Sequence, residues 1–283
     1  MFNTMPQSGN SSAYSAPARL FSAYVFDLDG TVYLGESLLP TAGQTIERLR
    51  TLGKRTVFLS NNPTYTCAEM AHKLTRLGLP TPAEDVINSS LVMAHFLQRH
   101  LPGGRLFVIG EQPLLDVLSE AGFELTDDPT RTDAVIASFD RTFVYRKLQI
   151  AFDALRAGAR FFATNADRYC PVPGGGQPDA AAIIAAIEAC TGRTVEAVVG
   201  KPSLHMANAV LSLVDAAPQD CIMTGDRIET DVLMGLEAGM AAALTLTGAT
   251  QLDDALRFPV QPTYIIERLG DLLPPQTTYL GAS

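Results

Sequence analysis

Ala23-Tyr24-Val25-Phe26-Asp27-Leu28-Asp29-Gly30-Thr31-Val32-Tyr33 places a short apolar run directly before two carboxylates and a glycine. The run has the character of a buried strand. Carboxylates are normally solvated, and two of them crowded at a buried strand end demand a partner cation or a raised pKa. If the chain stays extended, positions 27 and 29 share a face, and Gly30 then lets the chain turn away. The arrangement has the form of a metal-binding catalytic edge.

Outward from this segment, short apolar strands alternate with helical stretches, which predicts an α/β protein with a mainly parallel sheet. Further strands are expected at Thr56–Leu59, Leu106–Ile109, Ala134–Ala137, Phe161–Ala163, Ala197–Val199, Cys221–Thr224, Ala242–Leu246 and Thr263–Ile266. Helical periodicity marks the segments between them. In Thr41–Leu52, Ile46, Leu49 and Leu52 fall on one face, and in Cys67–Leu77 a stripe through Met70, Leu74 and Leu77 ends at Gly78. Strands end in Asp27-Leu28-Asp29, Ser60-Asn61-Asn62 and Gly225-Asp226-Arg227, and a fourth polar segment is Gly200-Lys201-Pro202. Ligands of open α/β sheets bind beyond the carboxyl ends of the strands, so these four pieces can meet in one crevice. The stretch from about 85 to 195 contributes fewer such ends and is long enough for a separate small α/β domain over that crevice.

The bulk composition narrows the function. The chain has 283 residues, 47% apolar and 18% charged, which suits two cores rather than disorder. Its net charge of −9 argues against non-specific nucleic-acid binding. An anionic substrate must therefore be received by local cations. No run approaches the ~18 apolar residues of a membrane span. Residues 1–20 are rich in Ser, Asn, Ala and Pro, lack signal-peptide order, and are expected to form a flexible tail. Cys67, Cys170, Cys190 and Cys221 are scattered without a CxxC pair, which fits a reducing cytoplasm. His72, His95, His100 and His205 have no metal-like spacing and are expected to be structural.

In order, the four polar segments resemble the motifs of the haloacid dehalogenase (HAD) superfamily: Asp27-Leu28-Asp29-Gly30-Thr31 as DxDGT, Ser60 ending a strand, Lys201, and Gly225-Asp226-Arg227-Ile228-Glu229-Thr230-Asp231. The wording is similar to subfamily IIA, the NagD-type, p-nitrophenyl, pyridoxal phosphate and phosphoglycolate phosphatases. It is carried by Gly30–Tyr33, Ser60–Thr64, 225–231, Phe139–Arg141 and Ala163–Asp167, and it covers residues 21 to about 270. The resemblance implies a Rossmann-like core over 21–85 and 196–283, with an inserted C2-type α/β cap over 86–195.

It further implies a Mg2+-dependent phosphomonoester hydrolase of the cytoplasm acting on a small phosphorylated metabolite. Asp27 is then the nucleophile that forms an aspartyl-phosphate, and Asp29 is the acid, then base, whose environment should raise its pKa relative to Asp27. Asp27, the Asp29 backbone carbonyl and Asp226 would ligate the metal, with Asp231 acting through water or orienting a ligand. Ser60, the Asn61 backbone N–H and Lys201 would hold the phosphoryl oxygens. In resembling proteins the loop carrying Asp167, Arg168 and Tyr169 faces the active site and selects the leaving group; a solvated turn is the other reading. Arg227 is either a structural ion pair or a substrate contact. The triple glycine Gly174-Gly175-Gly176 lacks a phosphate-loop pattern, and Asp179 reads as the N-cap of the helix that follows. Two alternatives share these residues: a phosphotransferase or mutase using the same intermediate, and a non-catalytic phosphometabolite sensor, which would need neither nucleophile nor acid. Caps of this type often mediate homodimers, so a homodimer through the cap is expected.

Overall fold

The computed structural model describes residues 14–172 and 174–274. Two parallel sheets dominate it. The first has six strands in the order Tyr264–Ile266, Ala241–Thr245, Cys221–Gly225, Ala23–Asp27, Arg55–Ser60, Val86–Asn88. The second has five, in the order Ala197–Val198, Arg160–Ala163, Ala134–Ala137, Arg105–Ile109, Glu124–Leu125. Every adjacent pair in both sheets is parallel. The expected α/β architecture with mainly parallel sheets is the observed one.

The opening strand, Ala23–Asp27, is buried along its whole length. Tyr24 and Phe26 enter a cluster with Ile46, Leu49, Phe58 and Leu74 on one face, while Ala23 and Val25 enter another on the opposite face. This two-faced burial explains its unbroken apolar run. The second cluster continues through the helices Ser89–His100 and Leu204–Val214 to Leu106, Ile136 and Phe162 of the second sheet. One hydrophobic body therefore joins the two sheets.

The sheet order places the chemistry. Cys221–Gly225, Ala23–Asp27 and Arg55–Ser60 are neighbours, so Asp226, Asp27 and Ser60 emerge side by side at their carboxyl ends. Lys201 arrives differently: it follows the edge strand of the second sheet and precedes helix Leu204–Val214, on a connection that returns to the first sheet. The chain passes from the first sheet to the second after Val86–Asn88 and back after Ala197–Val198.

Several short elements go beyond the sequence reading. Val86–Asn88 and Glu124–Leu125 are strands of three and two residues, too short to show a period. The triple glycine lies in a hairpin, Tyr169–Val172 paired antiparallel with Gly175–Pro178. After the fourth motif the chain forms a wide π-type turn over Ile228–Val232, and regular helix follows only at Leu233–Glu237. Of the tail expected over 1–20, residues 14–20 are held against the first sheet: Ser15 N donates to Ile265 O at 3.0 Å and Arg19 Nη2 to Gln219 O at 2.6 Å. The remainder of that segment lies outside the described residues. No helix among the described residues is long and apolar enough to cross a membrane.

Candidate active site

The strand does not run on through Asp29. It stops at Asp27, and the Leu28 carbonyl accepts the N–H groups of Thr31, Val32 and Tyr33 at 3.3, 2.9 and 3.2 Å. This turn separates the two aspartates that continued extension would have set on one face. Gly30, at φ +82°, makes the turn possible. A Cβ there would also come within 2.6 Å of Asp226 Oδ2, so the same glycine admits the fourth motif. Asp27 is buried, 8% exposed, whereas Asp29 is exposed.

Lys201 Nζ donates to Asp27 Oδ1 at 2.5 Å and to Asp231 Oδ1 at 2.7 Å. Asp231 Oδ2 accepts from Arg227 N at 3.1 Å, a bond made inside the wide turn, which explains why regular helix waits until residue 233. Asp226 Oδ2 accepts from Ala249 N at 2.6 Å. Carboxylate oxygens of Asp27, Asp226 and Asp231 all lie within 4.8 Å of one another, and all three residues are buried.

Three buried carboxylates around one ammonium leave a surplus of negative charge. Burial pushes the Asp27 carboxyl well up; the Lys201 charge pulls it back, and the Asp231 and Asp226 charges raise it again. Burial, then Asp231, pushes Asp226 up to about 6. Burial alone would lower the Lys201 ammonium, but Asp231 and Asp27 more than offset this and its pKa is raised. A cluster of hard oxygens with uncompensated charge is the environment a divalent cation such as Mg2+ fits. Asp27 and Asp226 each keep a carboxylate oxygen outside the bonds described above, while both Asp231 oxygens are engaged.

Asp29 accepts a hydrogen bond from Tyr33 Oη at 3.4 Å. The surrounding protein raises its pKa by desolvation, and Lys73 and Tyr33 moderate the shift. Lys73 is set there by its helix. Thr66 and Glu69 cap Cys67–Arg76 reciprocally, and Lys73 Nζ sits 3.8 Å from the Tyr33 ring centroid. Both aspartates are raised, Asp27 well above its ordinary value because it shares its burial with two more carboxylates, so protein charges alone do not set Asp29 above Asp27 as expected. A cation held among those carboxylates lowers Asp27 far more than Asp29.

Ser60 is buried and its Oγ accepts from Asn62 N at 3.1 Å. The Asn61 side chain reaches across the cleft: Oδ1 accepts from Lys201 N at 2.7 Å, and Nδ2 donates to Lys201 O at 3.2 Å and to Asp167 Oδ2 at 2.9 Å. Arg168 and Tyr169 are exposed at the start of the hairpin. The Arg227 guanidinium lies 5.7 Å from the Tyr169 ring centroid. It makes no ion pair within 4 Å among the described residues, although Asp167, Asp226 and Asp231 keep its pKa raised against the effect of burial. Asp179 is the helix N-cap, its Oδ1 accepting from Ala180 N at 2.5 Å.

Three features carried no sequence signal of their own: the Ala249 N–H on Asp226, the Lys73–Tyr33 shelf beside Asp29, and the span of the Asn61 side chain. Each depends on residues distant in the chain, and only the Tyr33 motif hinted at one of them.

Family models agree with this geometry. Residues 24–124 match the haloacid dehalogenase-like hydrolase model and residues 198–272 a HAD-hydrolase-like model. The sugar-phosphatase AraL of Bacillus subtilis is 38% identical over 248 residues, covering 88% of this chain and 90% of that protein. Chronophin of Rattus norvegicus is 35% identical over 266 residues, covering 88% and 86%. The crystal structure of a 4-nitrophenylphosphatase from Thermotoga maritima superposes with a TM-score of 0.85 at 33% identity, covering 89% of this chain and 96% of that one. The chain therefore belongs to the haloacid dehalogenase-like hydrolases, as a phosphatase of subfamily IIA.

Proposed function

We propose that this chain hydrolyses the phosphomonoester of a small phosphorylated metabolite through an aspartyl-phosphate on Asp27, with Mg2+ as its metal. The observation that carries this reading is the buried Asp27 carboxylate at the central strand end, oriented by Lys201 at 2.5 Å and facing Asp226 and Asp231. A phosphate monoester resists attack because its centre is anionic and its alkoxide leaves poorly. Asp27, the Asp29 carbonyl and Asp226 would hold the magnesium ion, which when bound neutralises phosphoryl charge.

The residues divide the remaining work. Asp27 attacks phosphorus, forming one P–O bond as the bond to the leaving oxygen breaks, and protonated Asp29 delivers its proton to that oxygen. Water then attacks the aspartyl-phosphate, Asp29 takes the water's proton, and inorganic phosphate leaves. Lys201 fixes the nucleophile and offsets charge on the phosphoryl oxygens, which Ser60 and the Asn61 backbone N–H would also receive. Asp231 orients Lys201.

The second sheet and its hairpin are proposed as the cap, with Arg168, Tyr169 and the facing Arg227 on the leaving-group side. The names of the sugar-phosphatase AraL and of a similar dihydroxyacetone phosphatase from Corynebacterium glutamicum favour sugar phosphates and similarly small esters. The chain is also proposed to act in the cytoplasm, where its four free cysteines stay reduced, and as a homodimer through the cap. Sedimentation at micromolar concentration giving a monomer mass would remove the dimer. A phosphate-release screen over phosphorylated metabolites, with magnesium and with EDTA, tests the main reading. Release that survives EDTA would sink the metal requirement, and transfer to an added alcohol in preference to water would make the chain a phosphotransferase.

A further inference from the structure

Lys201 can serve Asp27 only as well as its own peptide is placed, and that peptide hangs from the second sheet. Val199 N donates to Ala163 O at 3.0 Å and Gly200 N to Thr164 O at 2.7 Å. The approach is tight: a Cβ on Gly200 would stand 2.5 Å from Thr164 O and 2.7 Å from Asn61 Oδ1. On its other side the Lys201 peptide is gripped at both polar groups by one amide, its N–H by Asn61 Oδ1 at 2.7 Å and its C=O by Asn61 Nδ2 at 3.2 Å.

That amide is itself held. Asn61 Nδ2 also donates to Asp167 Oδ2 at 2.9 Å, and the same oxygen accepts from Asn165 Nδ2 at 2.9 Å. Asn165 in turn donates to Asp179 Oδ1 at 3.0 Å, and its own Oδ1 accepts from the buried Thr164 hydroxyl at 2.8 Å. An ionised carboxylate only accepts hydrogen bonds, so Asp167 requires the NH2 end of Asn61 to face it. This leaves Oδ1 pointing at the Lys201 N–H. Asp167 Oδ2 is thereby engaged twice, by the Asn61 and Asn165 amides.

We infer that Asp167 is a positioning residue for Lys201, acting through the Asn61 amide; this rests on the phosphatase reading above. The loop expected to choose the substrate thus splits its roles: Asp167 engages the Asn61 amide, while Arg168 and Tyr169 lie exposed beside it. Losing such a support slows the chemical step for every ester alike, because the misplacement lies at the nucleophile.

The test is steady-state kinetics on p-nitrophenyl phosphate and on a hexose phosphate, with thermal unfolding of each variant as a check on folding. Asp167→Ala is expected to lower kcat about tenfold on both esters with KM within about twofold. Asp167→Asn, whose amide oxygen still accepts from Asn61, is expected to recover most of the loss. In an Asn61→Ala background Asp167→Ala should cost nothing more, because the relay is already cut. Multiplying losses in the double variant, or a KM rise confined to one ester, would overturn the inference. Should Asp167→Ala fail to fold, Asp167→Asn decides alone: a KM rise confined to one ester overturns the proposal, and near wild-type kinetics on both supports it. A wild-type protein that releases phosphate from neither ester would bring down the phosphatase reading itself, whereas an active wild type with multiplying losses removes only the relay.

Discussion

The ends of the central strands and the hairpin at Tyr169 face the same crevice, yet they are built on opposite terms. At the strand ends, Asp27, Lys201, Asp226 and Asp231 are each no more than 8% exposed, and every one has a charged or backbone partner fixed by elements far apart in the chain. In the hairpin, Tyr169 is half exposed and its facing strand contains two glycines with no side chain to pack. Burial over-determines the first region, which suits preorganised charge. The second is an exposed loop on a rigid scaffold, the usual place for variation in what is bound. On the proposed function, reaction and specificity are held by different physical means, and substitutions should separate them.

The largest effect is expected at the nucleophile. Asp27→Asn should lower phosphate release by at least about 10^4-fold while the protein stays folded, measured as kcat on p-nitrophenyl phosphate beside a thermal melt. Next comes Lys201→Met, which leaves three buried carboxylates without their ammonium. It should lower kcat by about 10^2- to 10^3-fold. In EDTA it should also cost about 3–5 kcal/mol of stability in urea unfolding. Magnesium should return more stability to this variant than to the wild type, since the ion then supplies the missing charge.

The hairpin should answer differently. Tyr169→Ala is expected to raise KM several-fold on the preferred ester with kcat nearly unchanged. Its stability should stay within about 0.5 kcal/mol, as for other exposed positions. A fall in kcat equal to that of Lys201→Met would erase the distinction between the two regions.

A further expected effect concerns pH and bears on stability alone. Burial pushes Asp179 up to about 6 from 3.8. A folded-state pKa above the unfolded one means the native state binds the proton more tightly. Stability should therefore decline as pH rises from about 4 through 6 and level off above it, by at most about 3 kcal/mol. Asp179→Asn keeps an N-cap acceptor and removes the titration. Urea unfolding at pH 4.5 and 7.5 should show a smaller difference for the variant than for the wild type; an equal difference would assign the slope to other groups.

How much of this was legible in the sequence follows the same division. Ala134–Ala137 is legible to the residue, and the central strand Ala23–Asp27 as an apolar run, because continuous apolar burial leaves a strong trace. Asp27, Ser60, Lys201 and Asp226 were legible because each ends or follows such a strand. The turn at Leu28, which gives Asp27 and Asp29 different surroundings, was not, since a two-residue period carries no information on where extension stops. Nor was the Asn61 clamp: its partners at 167 and 201 are brought to it by the packing of two sheets, and no local pattern encodes that distance. Strands of two and three residues, such as Glu124–Leu125, fall below any periodic signal.

The central claim is that Asp27 carries the phosphoryl group between substrate and water. It is met most directly by mixing enzyme, magnesium and p-nitrophenyl phosphate, quenching in acid within the first turnover, and mapping phosphorylated peptides by mass spectrometry. An acyl-phosphate is expected on the peptide containing Asp27, formed in a burst with p-nitrophenol and absent from Asp27→Asn. A burst of p-nitrophenol without phosphate on that peptide, or an acyl-phosphate at another residue, would contradict it.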